Sequence, residues 1–252
     1  MTNLCSYIIF IYISFLSFKK GGLMKAIQFT DVRKSYQLGL TKVEALRGIS
    51  LSIEKGEFLA IAGPSGSGKT TILNLIGCID VPTEGKVIID GKEVEKLGDK
   101  ELTRYRREKL SFIFQSFNLI PVLNVYENIE FPLLLKKHLP REERLEIVMH
   151  FIEEVGLADR IKNKPGELSG GQRQRVAIAR ALVSKPLIIL ADEPTANLDT
   201  ETGHKILSLM QEINQKEKTT FVFSTHDAHI MEHARRIIAL RDGMIADEKE
   251  QK

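Results

Sequence analysis

The run Gly63-Pro64-Ser65-Gly66-Ser67-Gly68-Lys69-Thr70 constrains this chain more than any other stretch. It fits the pattern G-x-x-x-x-G-K-[ST] without a mismatch and joins an apolar β-type run, Phe58–Ala62, to an apolar helical pattern at Ile72, Leu73, Leu75 and Ile76. A glycine-rich turn between strand and helix lets backbone N–H groups close around phosphate oxygens, and the helix adds its positive end. In such a loop Lys69 reaches the β- and γ-phosphates and the Thr70 hydroxyl binds Mg2+, with Thr71 beside them. The chain is therefore expected to be an α/β phosphate-binding protein.

A second element supports that expectation. Leu187-Ile188-Ile189-Leu190-Ala191 is a continuous apolar run that ends in Asp192-Glu193. Such a run suits a central parallel strand, and its carboxyl end is where open α/β sheets place ligands. Asp192 is expected to hold Mg2+ through its water shell, and Glu193 to polarise an attacking water as general base. A third element, Leu168-Ser169-Gly170-Gly171-Gln172, precedes an arginine-rich helix read over Gln172–Val183. Ser169 is a helix cap and, with the Gly170 and Gly171 backbone, presents donors to an anion.

Further runs fill in the architecture. Ala26–Phe29, Ile49–Ile53, Lys86–Asp90, Ser111–Phe114 and Thr220–Ser224 read as strands, with Glu54-Lys55-Gly56-Glu57 turning between the second and Phe58–Ala62. Charged helical stretches at Asp99–Lys109 and Arg141–Val155, broken by prolines, suggest a helical insert over about 99–164. A helix over Glu201–Lys216, a last helix, and a hairpin of Ile237–Leu240 with Met244–Ala246 close the fold. Alternating strands and helices imply a mostly parallel sheet covered on both faces.

Composition narrows the partners. With 36 basic and 33 acidic residues the net charge is +3, which gives no electrostatic case for nucleic acid. Cys5 and Cys78 lie far apart and have no metal-type spacing, so a reduced compartment is the simplest reading. Residues Leu4 to Phe18 are apolar and uncharged but short for a membrane span, which needs about 20 residues. They also lack the positive start and small-residue cleavage site of a signal peptide. Lys19-Lys20-Gly21-Gly22 can be encoded by a purine-rich ribosome-binding site just before Met24, so residues 1–23 are expected to be a leader absent from the native chain. A weak membrane anchor is the alternative.

The motifs occur in an order that resembles the ATP-binding cassette (ABC) proteins, from Lys25 to the C-terminus. Leu168–Gln172 is similar to that family's signature sequence. By the same resemblance Gln115, ending the strand Ser111–Phe114, is the glutamine that touches Mg2+ and attacking water. Tyr36 is the aromatic that stacks on adenine, and His226 the histidine that holds the γ-phosphate. Asn197-Leu198-Asp199 is the loop whose Asp199 addresses an opposite subunit, although it begins Ala196-Asn197 where other residues are commoner. The implied fold is a phosphate-loop nucleoside triphosphatase with a mostly parallel core sheet, an antiparallel β subdomain and a helical insert subdomain, the cassette spanning residues 24–252.

The resemblance also implies partners. Each ATP site is built from Lys69 of one subunit and Ser169, Gly170, Gly171 and Gln172 of another, so the working unit is a dimer, a homodimer by preference. The groove at Phe117, Leu119, Ile120, Leu123 and Tyr126 to Phe131 is expected to receive a helix of a separate membrane permease, with part of these residues forming the insert's own core, and the cassette lies at the cytoplasmic face of the cell membrane. With Asn74-Leu75-Ile76-Gly77-Cys78-Ile79-Asp80, Phe114-Gln115-Ser116-Phe117-Asn118-Leu119-Ile120-Pro121 and Ala191-Asp192-Glu193-Pro194-Thr195 beside the phosphate loop, the chain most resembles the cassettes of the lipoprotein-releasing and macrolide-exporter group, whose substrates include lipoproteins, macrolides and antimicrobial peptides. A cassette regulating cell-wall remodelling without transport is the alternative. Only about a hundred residues separate Lys69 from Ser169, too few for the coiled coil of DNA-repair ATPases of this type.

Overall fold

The computed structural model describes residues 25–39, 41–136 and 139–251, so the expectations for residues 1–23 lie outside the described residues. In chain order the elements are β1 (Lys25–Leu38), β2 (Thr41–Glu54), β3 (Phe58–Ala62), α1 (Lys69–Ile76), β4 (Glu84–Ile89), β5 (Lys92–Glu93), α2 (Asp99–Lys109) and β6 (Leu110–Phe114). They continue with α3 (Val125–Leu134), α4 (Arg141–Glu154), α5 (Gly170–Leu182), β7 (Ile188–Asp192), α6 (Thr200–Glu217), β8 (Thr220–Thr225), α7 (Ala228–His233), β9 (Arg236–Arg241) and β10 (Met244–Glu250).

Two sheets form. The larger has the order β10-β9-β3-β8-β7-β6, parallel from β9 to β6 and closed by antiparallel β10; the smaller, β2-β1-β4-β5, is antiparallel throughout. The central strands read FLAIA, IILAD and TFVFST because both faces are covered. Their alternation sorts the core into two clusters. Phe58, Ala60, Ile189, Ala191, Phe221 and Phe223 face the helices α3 to α7. Leu59, Ile61, Ile188, Leu190 and Val222 face α1, α2 and the antiparallel sheet. A one-residue slip in any of these strands would exchange the two sets.

Two local expectations change. Strands β1 and β2 run 14 residues each, far beyond Ala26–Phe29 and Ile49–Ile53, because their outer halves are a solvated hairpin whose polar residues carry no apolar signal. The turn expected at Glu54–Glu57 is present and joins strands of different sheets. The stretch 99–164 is not one helical unit: β6 is the edge of the large sheet, and Leu102 and Tyr105 of α2 pack into the cluster beneath the antiparallel sheet. The helices that stand apart from the sheet begin after β6. Among the described residues no helix is long and apolar enough to cross a membrane.

Candidate functional site: a nucleotide cleft at the carboxyl ends of four strands

Strand register gathers the site. Ala62 of β3 lies opposite Thr225 of β8, Asp192 of β7 opposite Ser224, and Phe114 of β6 opposite Asp192. The chain leaves each of these parallel strands at the same edge, so the phosphate loop, Gln115, Glu193 and His226 all start from one rim. Together with the β1–β2 hairpin they border a cleft of about 750 Å3. Its lining includes Tyr36, Pro64, Ser65, Gly66, Gly68, Lys69, Thr70, Thr71, Gln115, Asp192, Glu193 and His226.

The loop's glycines answer to different constraints. A Cβ at Gly63 would stand 2.3 Å from the Leu240 carbonyl oxygen, so only glycine lets the loop pass β9. Gly68 caps α1 at φ 105°, a backbone that disfavours any side chain, and its Cβ would meet the Ala45 carbonyl at 2.7 Å. Gly63 and Ser67 turn inward and support the loop; they do not line the cleft. Lys69 is 9% exposed, and its ammonium donates to the carbonyls of Gly63 (2.7 Å) and Pro64 (3.0 Å). A buried cation held only by neutral carbonyls sits in a site made for an anion. The Ser67 hydroxyl is likewise buried without a partner among the described residues.

Glu193 is fully engaged. Its Oε1 accepts the His226 backbone N–H at 3.1 Å and lies 2.5 Å from the His226 ring Nδ1, while Oε2 accepts the Thr225 hydroxyl at 3.1 Å. The residue adopts φ 46°, a left-handed conformation that a side chain disfavours and that cross-strand partners hold. Asp192 accepts the Ser224 hydroxyl at 2.7 Å. With the Thr70 hydroxyl and the Gln115 amide it offers hard oxygen donors, the set Mg2+ prefers. Among the described residues no group of three or more His, Cys, Asp or Glu side chains is arranged to hold a metal ion unaided. A cation here would complete its shell with phosphate oxygens and water, which fits this donor set.

Tyr36 closes the opposite end. Its hydroxyl donates to Asp80 Oδ2 at 2.9 Å, and Lys34 pairs with Asp80 Oδ1 at 2.5 Å. Burial and the hydrogen bond to Asp80 raise the phenol's pKa and keep it neutral. Burial alone would raise the Asp80 carboxyl too, but the bonds from Lys34 and Tyr36 outweigh it and hold the group below its ordinary range.

The remaining sequence candidates lie elsewhere. Ser169 caps α5, accepting Gln172 N–H at 3.3 Å while Gln172 Oε1 accepts Ser169 N–H at 2.9 Å, a reciprocal capping box. Neither these residues nor Gly170 and Gly171 line the cleft. Asp199 is exposed and caps α6 by accepting Thr202 N–H at 3.0 Å; that bond holds its carboxyl below the usual range. Sequence reasoning missed Val43, Glu44, Ala45 and Ser224 on the cleft wall and Thr225 behind it. Val43 had a usable signal only through register, since it lies directly across from Tyr36. Ser224 and Thr225 had a nearer one, preceding His226 at the end of a buried strand.

A parallel sheet with a glycine-rich loop after β3, an acidic pair after β7 and a cleft at their carboxyl ends defines a phosphate-loop nucleoside triphosphatase. A family model described as ABC transporter matches residues 46–196. The chain belongs to the ABC transporter family, as one of its ATP-binding ATPase cassettes. An ABC transporter ATP-binding protein of Thermotoga maritima is 48% identical over 223 residues, covering 88% of this chain and 94% of that protein. The macrolide export ATP-binding/permease protein MacB of Bdellovibrio bacteriovorus is 46% identical over 223 residues, 88% of this chain but 34% of its own length. This chain therefore spans about a third of that relative. The dimeric structure of MJ0796, an ABC transporter cassette of Methanocaldococcus jannaschii, superposes with a TM-score of 0.82 at 46% identity, covering 90% of this chain and 99% of that one. The same cassette in a post-hydrolysis state bound to ADP and Pi gives a TM-score of 0.81.

Proposed function

We propose that two copies of this chain close around two ATP molecules and drive a separate membrane permease at the cytoplasmic face. The observation that carries this reading is the position of the signature. Ser169, Gly170 and Gly171 stand exposed or half-buried at a capped helix end outside the cleft, so one chain holds only half of the donors the ATP needs. A second cassette supplies the other half.

Within the cleft Tyr36 stacks on the adenine, and Lys69 exchanges its loop carbonyls for β- and γ-phosphate oxygens. Thr70, Asp192 and Gln115 would hold Mg2+, which when bound supplies positive charge against the phosphate oxygens. Glu193 takes the proton of the water that attacks the γ-phosphorus, and His226 holds the γ-phosphate. Bond formation to that water and cleavage to the leaving ADP oxygen yield ADP and Pi. His226 and Thr225 each bond one Glu193 oxygen, so a His226 ring turned to the γ-phosphate frees Oε1 for the attacking water.

Export or extraction of a lipoprotein, macrolide or antimicrobial peptide is the transport reading we favour. The likeness to MacB, a single chain of ATP-binding and permease parts, supports it. Burial divides the expected permease groove, in which Leu119, Ile120, Leu123 and Tyr126 stay part-exposed. Phe117 and Ile129 are core residues, whereas Val122 (73% exposed), Phe131, Leu134 and Leu135 present the apolar face. Glu193→Gln should cut hydrolysis at least about a hundredfold and leave an ATP-bound dimer on size-exclusion chromatography. Normal turnover by that variant would remove Glu193 from its role. Purification from gently solubilised membranes should bring down a permease of few spans with a large outer domain; recovery of no membrane protein would remove the transport reading.

A further inference from the structure

Two successive residues after Gln115 carry left-handed backbone without being glycine: Phe117 at φ 60° and Asn118 at φ 49°. For residues with a Cβ, and for a bulky phenylalanine above all, that conformation is disfavoured and persists only where surroundings impose it. Here the surroundings are arginines of α5. Arg180 Nη2 donates to the Phe117 carbonyl at 2.8 Å and Nη1 to the Asn118 carbonyl at 2.6 Å. The Arg173 guanidinium lies over the Phe117 ring, 5.3 Å from its centroid.

Arg180 is an unusual resident. Partial burial pulls its pKa down, and among the described residues no carboxylate offsets that. A half-buried guanidinium without a counter-ion loses part of its hydration, and a chain retains one where its rigid fork of donors does something a neutral side chain does not. The fork spans two adjacent carbonyls in this turn. A third tether comes from the loop before α6, where Asn197 Nδ2 donates to the Gln115 carbonyl at 2.8 Å. Gln115 thus sits on a backbone whose two sides are held by other elements, while its side chain lines the cleft.

We propose that Arg180 is the positioning residue for Gln115: by bridging the Phe117 and Asn118 carbonyls it imposes the left-handed turn that aims the glutamine at the nucleotide's metal. The proposal deepens the reading of Gln115 as a Mg2+ ligand and rests on it. Its reach is also spatial. Arg180 lies on the helix that Ser169 caps, so the loop serving one ATP is fastened to the helix that, in the dimer, serves the other.

Two readouts test it on the whole chain. The first is amide hydrogen exchange of residues 116–119 without nucleotide or metal. The second is the gain in ATP affinity that Mg2+ confers, from calorimetric titrations with Mg2+ and with EDTA. Arg180→Met should speed exchange in that loop and cut the Mg2+-dependent gain about tenfold, leaving ATP affinity in EDTA within about twofold. Gln115→Ala should lose the same gain, and the double variant no more than either single one. Arg180→Lys keeps charge and bulk but loses the planar fork, and should fall about threefold short. If Gln115→Ala loses the gain while Arg180→Met keeps it and its loop protection, Arg180 is merely structural and the proposal is overturned. If Gln115→Ala itself keeps the gain, the reading of Gln115 falls and takes the proposal with it. Should Arg180→Met not fold, a wild-type gain in Arg180→Lys is enough to overturn it.

Discussion

The phosphate loop and the signature helix are both helix starts carrying glycines, yet they are finished to different degrees. At the loop, Lys69 is buried, its donors aimed at two carbonyls, and Gly63 and Gly68 are packed against β9 and the β1–β2 hairpin. At the signature, the capping box satisfies the helix internally and leaves Gly170 and Gly171 half-exposed outside the cleft, with Leu198 and Thr202 beside them. The first half is built to hold an anion alone. The second is a stable helix end that, in the function proposed above, becomes a site only when another chain brings the anion. A fold can therefore encode half a site with full stability, because helix capping and ligand binding draw on different donors.

The sharpest way to break that comparison is to mix two inactive variants. Lys69→Met disables the loop half, and Ser169→Asp the signature half while keeping a helix cap, since aspartate caps as well as serine but repels phosphate. Each variant alone should lose ATPase activity by at least about a hundredfold. An equimolar mixture should regain about a quarter of wild-type activity, because half the dimers are mixed and each has one intact site. Activity in Ser169→Asp alone would show that the loop half suffices.

A smaller effect sharpens the loop side. Ser224→Ala removes the donor that fixes Asp192 and should raise the Mg2+ concentration for half-maximal ATPase about tenfold, with thermal stability little changed. An unchanged requirement would remove Asp192 from the metal site. Smaller still, Tyr36→Phe keeps the ring and loses the bond to Asp80, so ATP affinity measured by calorimetry should fall only about twofold. Tyr36→Ala, which loses the ring, should cost about tenfold. Equal losses from the two would mean that the hydroxyl, not the ring face, contacts the nucleotide.

What the sequence disclosed divides along the same line. The loop, the strand ending in Asp192-Glu193 and the Ser169 cap were legible because each is a contiguous run whose residues act on their neighbours. Helix α3 was not read as a helix because Pro132 looked like a breaker; it sits in the last turns of a helix that Asn124 caps by accepting Glu127 N–H. Val43 and Ala45 entered the cleft through a cross-strand register that no local pattern displays. The tether from Arg180 to Phe117 spans 63 positions and joins a side chain to backbone carbonyls, so the loop's own residues give no sign of it.

The outer edge of the large sheet has its own consequence for assembly. Among the described residues strand β10 leaves one row of backbone groups without a neighbour in the sheet order, the usual template for growth by strand addition. Its end, Asp247-Glu248-Lys249-Glu250, is exposed and sets three carboxylates against one ammonium, with Glu248 also paired to Arg236 of β9. An incoming strand would have to bring its backbone alongside that charge, and a second copy would bring the same excess. That charge disfavours strand addition at this edge, so under the proposed dimer two cassettes would meet and part at their nucleotide faces without fusing into a continuous β-ribbon.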